Sequence, residues 1–71
     1  MNFEALRELD ECMAICGKLT ELLNEDMDEM HQYVTGELYD VYRAATIDAI
    51  DAVSELKNKL LTLYHQESAM M

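Results

Sequence analysis

Two cysteines, two histidines and fifteen carboxylates are the side chains of this 71-residue chain that could bind a metal or activate a substrate. Cys12 and Cys16 stand one helical turn apart, and nitrogen from His31 or His65 would complete the donor types of a zinc site. The usual C-x2-C spacing is absent, however, and both cysteines fall within apolar columns. They read as small buried hydrophobes. Asp28 and His31 have the i, i+3 spacing of di-metal helical bundles, but those bundles use Glu-x-x-His twice with further inward carboxylates. This chain offers a single Asp version, which reads as surface. His65 falls near a helix end, where a cation suits the negative pole of the dipole. There is no Ser-His-Asp pattern, no glycine-rich phosphate loop and no second histidine near a cysteine to act as its base. The expectation is a non-enzymatic protein with no metal and no cofactor.

The carboxylates carry more information. Asp26, Glu29, Tyr33, Glu37, Asp40, Ala44, Asp48, Asp51 and Glu55 recur at helical spacing, and seven of these nine positions are acidic. Acids three or four apart on a helix repel by about 0.2–0.5 kcal/mol per pair. Asp26–Glu29, Glu37–Asp40, Asp48–Asp51 and Asp51–Glu55 together cost on the order of 1–2 kcal/mol. Only Arg43 after Asp40 and Lys59 after Glu55 offer relief. Such a ridge either keeps a small protein in solution or meets Lys and Arg on a partner.

Those acids need a scaffold, and the composition names it. Proline is absent, glycine occurs only at 17 and 36, and Leu, Ala, Met and Glu dominate, which favours an all-α fold. Leu6, Leu9, Met13, Cys16, Thr20 and Leu23 alternate steps of three and four, with Cys12, Ile15, Leu19 and Leu22 in a second column beside them. A first helix over about 2–23 follows, with Asn2 as its N-cap. Met27, Met30, Val34, Leu38, Val41, Ala45, Ala49, Ala52, Leu56, Leu60 and Leu63 keep the same period without a slip. A second, long helix over about 25–65 follows, started by Asn24-Glu25-Asp26, where Asn is a good cap and acids suit the first turn. The competing break is Thr35-Gly36, which would give a three-helix unit. The unbroken rhythm through Gly36 favours the earlier turn.

A short helix cannot cover a long one. The half from Tyr39 onward, with Tyr39, Tyr42, Ile50, Val53, Leu56, Leu60, Leu63 and Tyr64, therefore needs a dimer partner or another protein's helix. An antiparallel homodimer forming a four-helix bundle is the simplest closure. The whole chain, 1–71, is read as one domain with a frayed tail over 66–71.

The charge balance excludes some partners. Net charge is −10, and residues 1–56 hold fourteen acids against three bases. Nucleic acid and anionic membranes are disfavoured as direct partners because phosphate-neutralising bases are scarce. No signal peptide or membrane span is visible, and two cysteines do not make a disulfide scaffold, so a soluble cytoplasmic protein is expected. Two functions fit. The first is a small acidic inhibitor or adaptor that docks its ridge (Asp26, Glu29, Tyr33, Glu37, Asp40, Asp48, Asp51, Glu55) on a basic protein surface. That surface could be a nucleic-acid-binding one, the target of inhibitors that mobile elements direct against host defence. The second is a co-chaperone or assembly subunit that holds a partner helix on its apolar face.

Overall fold

The computed structural model describes residues 2–69 and contains two helices packed against each other: α1, Phe3–Met30, and α2, Glu37–Ala69. Asn2 caps α1 as its sequence position implies, its Oδ1 accepting from the Ala5 amide at 3.1 Å. The helical hairpin is thus present, but its turn is not at 24–26. Asn24 does not start a helix. Its amide group donates to the Thr20 carbonyl one turn back, at 3.0 Å, so it decorates a helix that continues for another turn and a half.

The chain reverses over residues 31–36 instead. Two three-residue backbone bonds, Gln32 to Glu29 and Tyr33 to Met30, tighten the end of α1, and a last four-residue bond runs from the Val34 amide to the Met30 carbonyl. Gly36 then takes φ +66°, a left-handed conformation open to glycine at little cost. Its carbonyl accepts the first bond of α2, from the Asp40 amide at 3.1 Å, so Gly36 itself occupies the cap position. The break at Gly36 is therefore real, and among the described residues it joins the two helices α1 and α2. At the far end α2 passes His65 and continues as helix through Ala69; of the tail expected to fray, Met70 and Met71 lie outside the described residues.

Tyr39 fastens the turn. It is 7% exposed, its hydroxyl donates to the Met27 carbonyl at 3.3 Å, and its ring stacks on His31 with centroids 3.8 Å apart. Along the rest of the interface, Leu6, Leu9, Met13, Cys16, Thr20, Leu23, Met27 and Met30 of α1 are sheltered, and so are Tyr42, Thr46, Ile50, Val53, Leu60 and Tyr64 of α2. Thr46 is buried at little cost because its hydroxyl donates to the Tyr42 carbonyl in its own helix, at 2.9 Å. Cys16 is buried as expected, whereas Cys12 is exposed, one step round the helix from that interface.

Gly17 lies inside α1 without a positive φ, and a Cβ built there would meet the Lys57 Nζ at an ordinary 3.8 Å. Gly17→Ala is accordingly expected to stabilise the hairpin by about 0.5–1 kcal/mol, mainly by removing unfolded-state freedom. A melting curve should move up by about 5 °C.

Candidate surface for partner binding

The interface between the helices is thin. Among the described residues no large side chain is fully buried, and the exposed large hydrophobics include Ile15 (64%), Leu38 (74%), Val41 (64%) and Leu56 (50%). These are not scattered. On α1 the second column, Cys12, Ile15, Leu19 and Leu22, is open to solvent. On α2 the open column is Leu38, Val41, Ala45, Ala49, Ala52, Leu56 and Leu63. A hollow of about 220 Å³ is lined by Cys12, Ile15, Cys16, Leu56 and Leu60, so the two columns share one side of the hairpin. Together they form one apolar strip, which runs about 38 Å along α2 at 1.5 Å per residue.

The period found in the sequence therefore splits its work at the turn. Met27, Met30 and Val34 are sheltered, whereas Leu38 and the positions after it, Leu60 excepted, are bare. α2 turns its neighbouring column toward α1, because the bulky Tyr39, Tyr42, Ile50, Val53, Leu60 and Tyr64 fill the space between helices that Ala45, Ala49 and Ala52 would leave empty. Of the eight residues expected to face a dimer mate or partner helix, those six are sheltered within the chain itself. Leu56 and Leu63 remain open.

The carboxylate ridge is divided as well. Asp26 and Glu29 sit on α1, Tyr33 stands in the turn at 78% exposure, and Glu37, Asp40, Asp48, Asp51 and Glu55 follow on α2. Because α2 runs back along α1, the single file of acids expected from residue 26 to residue 55 does not exist. The five α2 acids stay in register over about 27 Å on the outer side of that helix, away from α1. All seven are exposed.

Helical spacing puts Glu37, Asp48 and Glu55 beside the strip on α2, whereas on α1 Glu8 and Asp26 continue the open column at its two ends and Glu11 and Lys18 flank it. The α2 edge is negative. Lys59, 3.8 Å from Glu55, is the one base on the α2 edge among the described residues. The other ion pairs, Arg7–Glu8 at 3.7 Å and Lys18–Glu21 at 3.7 Å, are exposed and weak. Sequence reading found the acids and both open columns, but it offered Tyr39, Tyr42, Ile50, Val53, Leu60 and Tyr64 to a partner, and α1 shelters these instead. Among the described residues no three His, Cys, Asp or Glu side chains cluster as metal ligands would, and no helix is long and apolar enough to cross a membrane. The chain matches no protein-family model, no curated protein and no solved structure.

Proposed function

We propose that this protein is a non-enzymatic binding module that holds a basic amphipathic helix of a partner protein, acting as an adaptor or inhibitor by occupying that segment. The observation that carries this reading is the bare apolar strip, with carboxylates along its α2 edge and Glu8 and Asp26 at the two ends of its α1 column. A third helix laid in the groove between α1 and α2 would bury its apolar face on Ile15, Leu19, Leu22, Leu38, Val41 and Leu56, and its flanking Lys or Arg would meet the acids.

Area supports a missing cover. The chain exposes 5362 Å², while a compact monomer of 8.2 kDa exposes about 4,500 Å². The excess, roughly 800 Å², is what one side of a standard protein interface buries. A second copy of this chain is the rival cover. It would carry another −10 and bring like-charged edges together, so a basic helix is the better complement.

The probe is an 18-residue amphipathic peptide of lysine and leucine, titrated against the whole chain. Binding is expected to weaken at least about tenfold between 0.05 M and 0.5 M salt, because exposed charge pairs are screened. Asp48→Lys with Glu55→Lys should weaken it similarly at low salt. Affinity that ignores both salt and the double substitution would end this reading. The α2 acids also support a second reading, direct docking of that outer face on a basic groove. Asp40→Lys with Asp51→Lys tests it, since these residues lie away from the strip. Loss with this pair and no loss with Leu56→Asp would favour the outer face.

A further inference from the structure

Resting on the basic-helix reading above, we propose that the hollow lined by Cys12, Ile15, Cys16, Leu56 and Leu60 is an anchor pocket that receives one aromatic side chain of the bound helix. The strip is uneven in depth. Ala45, Ala49 and Ala52 make a shallow floor between Leu38 with Val41 at one end and Leu56 with Leu63 at the other. The hollow opens beside Leu56, over the buried Cys16. Its volume, about 220 Å³, exceeds the roughly 150 Å³ apolar cavity that is known to take up benzene. Its wall is aliphatic carbon and two thiol sulfurs, and divalent sulfur makes favourable contacts with aromatic rings. No charged side chain lines it, so a lysine or arginine head would lose hydration there without a partner. Interface energy concentrates in buried aromatic anchors, and the carboxylates of the α2 edge would then set orientation and charge preference around this one.

Two peptides test the assignment: the lysine-leucine helix with a single Trp in the middle of its apolar face, and the same peptide with Ala there. The Trp peptide is expected to bind the wild-type chain at least about tenfold more tightly. Cys12→Phe, a change at an exposed position, fills the mouth of the hollow. It should erase that preference, so that the Trp and Ala peptides bind the variant with equal affinity. Equal affinities on the wild type, or a Trp preference that survives Cys12→Phe, would overturn the pocket and leave the basic-helix reading standing. Failure of both peptides to bind at low salt would overturn both. Indole alone, titrated into labelled protein, supplies a readout independent of the peptides: amide shifts confined to residues 12–16 and 56–60 support the pocket, and shifts elsewhere or none refute it.

Discussion

Tyr39→Ala is expected to unfold the isolated hairpin at 37 °C, with loss of most of the helical circular dichroism signal. Replacing a buried aromatic ring by alanine costs about 3–5 kcal/mol. A chain of this size seldom has more than about 3–5 kcal/mol to lose. The position is also concentrated in its effects, because the same side chain shelters the interface, stacks on His31 and bonds to the Met27 carbonyl. Tyr39→Phe keeps the ring and removes only the 3.3 Å hydrogen bond, so a loss of about 1 kcal/mol is expected there. A folded Tyr39→Ala protein with an unchanged melting temperature would mean that the turn is held by something other than this ring.

Covering the strip is expected to raise the melting temperature by about 10–20 °C. A ligand present at about 100 times its dissociation constant adds about 2.7 kcal/mol, and for a domain this small each kcal/mol moves the midpoint by about 4–8 °C. The free chain should be correspondingly marginal, since no large side chain among the described residues is fully buried. The measurement is a thermal melt with and without the lysine-leucine peptide, repeated over a hundredfold range of protein concentration. A midpoint that climbs with protein concentration and ignores the peptide would identify a second copy as the cover, and sedimentation would then show a dimer.

Much of this architecture is legible in the residues. The α1 column from Leu6 to Leu23, the Asn2 cap and the wide apolar arc that includes Cys12, Ile15, Leu19 and Leu22 all follow from spacing and side-chain chemistry. The turn does not, for a definable reason. Met30, Val34 and Leu38 are four apart, so the connection of residues 31–36 happens to preserve the helical phase, and periodicity alone cannot tell such a hairpin from a rod. Asn24 is equally ambiguous, since one amide group serves as a cap in one context and bonds back to its own helix in another. The positive φ available to Gly36 was the stronger signal. The covered side of α2 was hidden differently. Two adjacent columns are both apolar, and only packing volume across the interface separates the tyrosine-rich column, which α1 covers, from the alanine-rich one, which it leaves open.

The antiparallel path has a mechanical consequence. Residue 2 and residue 69 leave the molecule at the same pole, and the reversal at residues 31–36 sits at the other. A tension applied between those two ends would load the helix pair one turn at a time, beginning near Leu6 and Tyr64, instead of straining every layer at once. The bare hairpin should thus peel apart under a small steady force. A helix clasped across both α1 and α2 would act as a rivet, and the extension trace would show a sudden rip where its grip begins.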